Sequence, residues 1–273
     1  MNPDRIYRQH RDDALAAQIT APEYTTFVAM PFGDTFSYRS RDVYQSVIQR
    51  AATRANEMGG AKRPFAQPSR VDDHAGTARV ITEEIIVQIL SSHIVVADLS
   101  FENVGVLLEA GIALGLKPTQ QIVLITQGRL TDLHFDIRNN NVISYKNEDS
   151  VDAIAKALIA ASLSFENDRD KYVTGITRTL SPDAIACLKH CANLQTSNAA
   201  ASLHSGIAET CFTNGRAFER FESGTSQLLR SRLLWTDWKV GAVCNGDAFG
   251  MHATDLGWAV IAELWADLAK KSK

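Results

Sequence analysis

The sequence predicts an α/β protein: a doubly wound, mostly parallel sheet followed by a smaller α+β domain. Three observations carry this. Between residues 25 and 165, apolar β-branched runs alternate with segments of helical period, which is the pattern of βαβ units. The run "HIVVADLS", His93 to Ser100, is almost continuously apolar, as in strands covered on both faces of a parallel sheet. Beyond about Glu166 the alternation stops and helices lead into a ribbon and a final helix.

Taken in order, residues 1–21 read as a polar arm carrying Arg5, Arg8, Arg11, Asp12 and Asp13, with one or two helical turns over Ala14 to Ile19. "TTFVAMPFG" is a strand closed by Pro31 and Gly33. "SRDVYQSVIQRAATRANEMGG" repeats apolar residues at Val43, Val47, Ile48 and Ala51 or Ala52, a helix that Gly59 and Gly60 stop. "KRPFAQPSRVDD" is a short strand or an extended loop, and "ARVITEEIIVQILSS" a helix with Val80, Ile81, Ile85 and Ile89 inward. After the strand at Val95–Leu99, "VGVLLEAGIALGL" is a helix ended by Gly115 and Pro118. Gly111 and Gly115, with Ala113, predict that it lies close on the sheet. "QQIVLIT" and "NNNVISYKN" are further strands, and "SVDAIAKALIAASLS" closes a domain spanning residues 22–165, Rossmann- or flavodoxin-like in its alternation.

In residues 166–273, Ser181 and Pro182 suit the N-cap and first turn of the helix "SPDAIACLKHCANLQ". "SLHSGIAETCF" and "GRAFERF" read as short helices, "SGTSQLLRSRLLWTDW" as an amphipathic one, and a ribbon turning near Asn245-Gly246-Asp247 precedes the last helix. Helices, ribbon and helix predict a winged-helix module. Trp235, Trp238, Trp258 and Trp265 are expected mostly in its core.

A chain of 273 residues with 45% apolar and 22% charged residues is ordinary for a folded soluble protein. Its net charge of −3 gives no general attraction to nucleic acid or acidic membranes. The charged start and the lack of any apolar run near the ~20 residues that span a bilayer predict a cytoplasmic protein without membrane contact. Cys187, Cys191, Cys211 and Cys244 are expected as free thiols. Cys187 and Cys191 flank His190 at helical spacing, yet one such pair reads as core cysteines rather than as a metal site.

The strongest chemical candidate is Glu109. It lies in the first turns of a helix that follows a sheet strand, where unpaired backbone N–H groups form an electropositive rim and keep a carboxylate ionised. Ligands of such sheets bind at the carboxyl ends of the strands. A carboxylate there can attack an anomeric carbon or stabilise an oxocarbenium-like transition state; a solvated helix carboxylate is the other reading.

The segments "FVAMPFG", "RVDD…ITEEIIVQILSSHIVVADLSFENVGVLLEAGIALGL" and "FDIRNNNVISY" resemble the nucleoside 2-deoxyribosyltransferase-like family, related to the NAD-cleaving TIR domains. The likeness covers roughly residues 25–146, with Ala97-Asp98-Leu99-Ser100, then Asn103, then Glu109-Ala110-Gly111-Ile112-Ala113 at the family's Ala-Asp-Leu-Thr and Glu-Leu-Gly-x-Ala positions. It implies that Glu109 is the nucleophile at C1′ of the sugar. It further implies that Asp72 and Asp73 bind sugar hydroxyls or assist the leaving base, and that Met30, Pro31, Phe32 and Gly33 wrap the base or sugar. Phe32 either stacks on a flat base or plugs the loop. Arg70 and Arg79 either hold a phosphate or are solvated. Asp98 orients the loop, binds ribose, or caps loop N–H groups; Ser100 and Asn103 line the same loop. The family's Asn-Pro-Asn-Val is Glu102-Asn103-Val104-Gly105-Val106 here, and the aromatic before the glutamate is Leu108, which leaves substrate identity open.

In the second domain, "HATDLGWAVIAELW" resembles the end of winged-helix domains. Arg230, Arg232 and Lys239 would make phosphate or partner contacts. Ten Lys or Arg against nine Asp or Glu from Thr174 onward is no basic stripe, so protein contact is as well supported as DNA. The leading expectation is N-glycosidic cleavage or transfer on a nucleoside, nucleotide or NAD-like substrate. No cofactor is expected, NAD entering as a candidate substrate. The architecture looks like toxin or effector subunits of bacterial anti-phage systems, some retrons among them, whose winged helix docks on a reverse transcriptase and its DNA. It implies a homo-oligomer. The alternative is a non-catalytic nucleotide sensor controlling a DNA- or protein-binding winged helix.

Overall fold

A computed structural model describes residues 13–32, 34, 38–70, 81–133, 137, 140–146, 150–196, 202–203, 216–237 and 249–271. The chain divides into two units, Met1–Asp168 and Arg169–Lys273.

In the first unit, four parallel strands stand side by side in chain order: β1 (Thr26–Ala29), β2 (Ile94–Asp98), β3 (Ile122–Thr126) and β4 (Val142–Ser144). The proline-containing stretch 65–69 lies along the outer edge of β1 through parallel bridges Tyr24↔Phe65 and Phe27↔Ser69. Val28 N–H donates to Ser69 C=O and Ser69 N–H to Thr26 C=O, both at 2.9 Å. The chain therefore leaves β1 in one direction and returns past it to β2. That reversal is a topological switch point between β1 and β2, where loops after neighbouring strands diverge and open a crevice.

Helices cover both faces, and the strand residues sort by the two-residue period of a pleat. Val28, Met30, Ile94, Val96, Val123 and Ile125 pack with Val47, Ile48, Ile154 and Leu158, from the helical run α2 (Ser40–Val43, a π-helical Tyr44–Gln49, Arg50–Met58) and the later helix Val151–Thr179. Phe27, Ala29, Val95, Ala97 and Leu124 pack with Ile85 and Ile89 of α3 (Ile81–Ser91) and with Val106, Ala110 and Ala113 of α4 (Val104–Leu116). Both faces being covered explains why β1, β2 and β3 are buried at every residue. Helix α4 does not meet the sheet through its glycines, contrary to the sequence expectation. Gly111 and Gly115 are exposed and a Cβ on either would touch nothing within 4 Å. Ala110 and Ala113 face the sheet instead, because the 3.6-residue period puts them, not the glycines, on the face shared with Val106.

The helix over 13–20, numbered α1, is more than an arm: Gln18 and Ile19 are buried. Gln18 donates to the carbonyls of Leu90 and Ser92, and its own carbonyl meets His93 Nε2 at 2.8 Å. Arg63 donates to the carbonyls of Gln18 and Ala21 and pairs with buried Glu166 at 2.7 Å, which also accepts from Tyr24 Oη at 2.9 Å. Burial holds the His93 pKa down at about 4, so the ring is neutral at ordinary pH.

Helix α5 (Val151–Thr179) contains the division between the units. The second unit continues with α6 (Pro182–Thr196), β5 (Ser202–Leu203), α7 (Ala217–Arg230), β6 (Leu234–Asp237), β7 (Phe249–Ala253) and α8 (Asp255–Lys271). Its strands form an antiparallel sheet in the order β5-β7-β6. "AFERF" and "SGTSQLLR" make one helix rather than two, since Gly224 lies where α7 crosses α6: a Cβ there would sit 2.8 Å from the Asp183 carbonyl. Close approach to a neighbouring backbone, not a break, is what that glycine provides. The helix stops at Arg230, and Arg232, at φ 57, turns the chain into β6. Trp235 and Trp265 are 49% and 39% exposed, against the core placement expected. Trp235 is on the open face of the sheet, stacked on its cross-strand partner His252 at 4.6 Å. Cys187 and Cys191 are buried. Trp238, Cys211, Cys244 and the turn at Asn245-Gly246-Asp247 lie outside the described residues, as does the stretch 204–215.

Candidate functional site

At the switch point the loops after β1 and β2 diverge, the place where sheets of this topology form their ligand crevice. From the first loop Met30 and Pro31 turn inward, whereas Phe32 reaches out, 54% exposed. Its carbonyl accepts from Ser40 Oγ at 3.3 Å, and Asp34 Oδ1 accepts from Ser40 N–H at 2.9 Å, so the start of α2 ties the loop down. Arg70, just past the 65–69 stretch and only 6% exposed, places its guanidinium 5.4 Å from the Phe32 ring and 5.2 Å from that of Tyr44. A cation over two rings is held electrostatically, and the Phe32 ring stays half exposed beside it. The structure thus brings Phe32 and Arg70 together.

The second loop runs from Asp98 to Asn103. Asp98 and Ser100 are fully buried and bonded within the protein: Asp98 accepts from Ser100, Tyr38 and Tyr145. Burial pushes the Asp98 carboxyl up while those hydrogen bonds pull it down, with burial the larger effect. The tyrosine hydroxyls are pushed well above their ordinary range by burial and by the adjoining carboxylate. Phe101 and Glu102 adopt φ of 61° and 46°, which carries the Phe101 ring outward, 54% exposed and edge-on to Tyr38 at 5.5 Å. Asn103 then opens α4, its Oδ1 accepting from Val106 N–H at 3.2 Å.

Glu109 sits in the second turn of α4, on the face it shares with Val106, Ala110 and Ala113, and is 8% exposed. Its carboxylate makes no hydrogen bond or ion pair among the described residues. Burial alone pushes its pKa up to about 7. The electropositive rim does not keep it firmly ionised as its position suggests. The helix field fades within the first turn, and loss of water outweighs it. A carboxylate near half-ionisation at neutral pH, without a partner to hold it, is suited to exchange protons or to attack an electrophile. The outer face of the same helix is apolar, with Val104 80% and Leu108 63% exposed.

Asp72, Asp73, Arg79 and Gly33 lie outside the described residues, and so does Lys239. In the second unit, Arg230 is exposed, its Nε donating to Ser226 C=O of its own helix at 3.2 Å. Arg232 is half-buried at the turn, its carbonyl accepting from Thr254 Oγ1 at 2.7 Å. Among the described residues no group of three His, Cys, Asp or Glu could hold a metal ion. Tyr38 and Tyr145 were not among the sequence candidates. The signal that could have found them is a tyrosine just past an apolar strand and one just before a helix, at the ends where its ring can be buried and its hydroxyl still meet a polar group. No protein-family model, curated protein or solved structure matches the chain.

Proposed function

We propose that the first unit cleaves or transfers at the N-glycosidic bond of a nucleoside, nucleotide or NAD-like substrate, with Glu109 as nucleophile. The observation that supports this most is a buried carboxylate, without a partner among the described residues, in the second turn of the helix that follows β2 of a parallel α/β sheet. In its ionised form one Glu109 oxygen bonds to C1′ as the C1′–N bond breaks and its electron pair leaves with the base. An acid protonates the base; Asp72 or Asp73 is the candidate from the sequence resemblance. Water or a second base then displaces Glu109, restoring the carboxylate. Phe32, backed by Arg70, offers the departing base a ring face.

The second unit is read as a winged helix: helix, short strand, helix, strand pair and helix, with the sheet order β5-β7-β6, support that reading. With it goes the proposal of an oligomeric effector of anti-phage defence that docks on a nucleic-acid-bound partner, a reverse transcriptase with its DNA. Among the described residues no helix is long and apolar enough to cross a membrane.

The test is incubation of the full chain with NAD and a panel of nucleosides and deoxynucleotides, wild type beside Glu109→Gln. Free base is expected from the wild type alone. Release that survives the substitution overturns the nucleophile assignment, and binding without turnover favours a sensor.

A further inference from the structure

One carboxylate reaches the segments that follow all four strands of the sheet. Asp98 ends β2, and its Oδ2 accepts the hydroxyls of Tyr38 at 2.9 Å and Tyr145 at 2.6 Å. Its Oδ1 accepts the backbone N–H of Ser100 at 3.1 Å and the Ser100 hydroxyl at 2.5 Å. Ser100 Oγ accepts in turn from Gln127 N–H at 2.8 Å. Tyr38 lies between β1 and α2, Ser100 follows β2, Gln127 follows β3, and Tyr145 follows β4 with its N–H on the Thr126 carbonyl at 2.8 Å. Two acceptor bonds on each oxygen use the lone-pair positions of a carboxylate, and Asp98, fully buried, has none to offer a ligand. Such a network, satisfied and away from water, fixes one arrangement of the parts it joins.

The backbone beside it needs that support. Two successive non-glycine residues, Phe101 and Glu102, are in the left-handed region, a conformation that persists where its surroundings over-determine it. The bonds of Asp98 to Ser100 hold one side of this turn, and the Tyr38 ring, against the edge of Phe101, holds the other. The turn ends at Asn103, the cap of the helix that carries Glu109.

We propose that Asp98 is the positioning residue of the crevice: through Tyr38, Ser100 and Tyr145 it locks the loops after β1, β2, β3 and β4 into one cooperative unit and sets the start of α4, without touching substrate. The effect on Glu109 rests on the reading given under Proposed function; the coupling of the loops does not.

Hydrogen–deuterium exchange on the full chain tests the coupling, with wild type beside Tyr38→Phe, Tyr145→Phe and Asp98→Asn. The tyrosine variants keep the rings and remove the hydroxyls that bond Asp98 and, for Tyr145, also meet the Ser100 side chain. Tyr145→Phe is expected to speed exchange about tenfold at amides it does not touch, around Ser100 to Asn103 and at Gln127, while the amides of β2 and β3 stay protected. Tyr38→Phe is expected to do the same at Gln127 and Tyr145. Faster exchange confined to the loop of the substituted residue, or unchanged exchange, overturns the proposal, as does loss of protection throughout the strands. Where the wild type releases base from NAD or a nucleotide, the tyrosine variants should lower kcat about tenfold with KM within about twofold; an unchanged kcat overturns the positioning role. A wild type that releases no base counts against the proposed reaction and leaves the exchange result to decide the coupling.

Discussion

Replacing Glu109 by Gln keeps the shape of the side chain and removes its ability to ionise, which makes the cost of holding a charge there measurable without any substrate. The pKa is raised from 4.5 to about 7, through burial. A folded-state acid with a raised pKa binds its proton more tightly than the unfolded chain does, so its contribution to stability falls as pH rises between the two values and is lowest above the folded one. At ~1.4 kcal/mol per pH unit the full difference is on the order of 3 kcal/mol. About 2 kcal/mol of it develops between about pH 5.5 and about pH 8.5. Glu109→Gln should therefore stabilise the protein, and by about 2 kcal/mol more at the higher pH than at the lower, a shift of ~1 M in the urea midpoint. Circular dichroism is the right probe: all four tryptophans lie beyond residue 168, so their fluorescence reports on Arg169–Lys273 and not on the sheet unit. A gain equal at both pH values, or no gain, would mean that the charge is not desolvated, and the case for Glu109 as a poised carboxylate would fall with it.

If Glu109 attacks as the anion, base release should rise with pH up to about 7 and level off above it, falling about tenfold per unit on the acid side; a profile flat from about pH 5.5 to 8.5 speaks against it. Phe32→Ala should raise KM about three- to tenfold with kcat nearly unchanged, and Phe32→Trp should restore it, if the ring only stacks on the base; an unchanged KM would return Phe32 to the role of a loop plug. Gly257→Ala and Gly224→Ala should destabilise the second unit by roughly 1–3 kcal/mol or more in tryptophan-detected unfolding. The added Cβ would run into the Leu233 carbonyl oxygen in one case and sit 2.8 Å from that of Asp183 in the other. Gly111→Ala should instead leave stability unchanged or raise it by up to about 1 kcal/mol, since its Cβ meets nothing and Ala favours a helix.

The sheet was legible because burial on two faces leaves a local trace. "HIVVADLS" has no polar alternation, and β2 proves buried at each residue from Ile94 to Asp98. The stop signals worked for the same reason: Gly59 and Gly60, with φ of 70° and 91°, end α2 where they stand in the sequence. The helix seat was misjudged because small residues suit both a close contact and an open surface. Periodicity separates Ala110 and Ala113 from Gly111 and Gly115 only once one buried residue, Val106, fixes the face. The joined helix Ala217–Arg230 escaped notice because a glycine inside a helix costs stability unless a neighbour needs the space, and the neighbour, Asp183, is distant in sequence.

The site divides in the same way. The spacing from Ala97 to Glu109 along one strand, one turn and one helix is covalent, so local sequence alone fixes that a carboxylate comes eleven residues after the end of a buried strand. The charge state of that carboxylate, the cation backing Phe32, and the convergence of Tyr38 and Tyr145 on Asp98, from 60 residues before it and 47 after it, come from segments distant in the chain. Local propensity does not encode those meetings. They arise when two helical layers close over the sheet, remove water from Glu109 and Asp98, and leave the first without a partner among the described residues and the second with four hydrogen bonds.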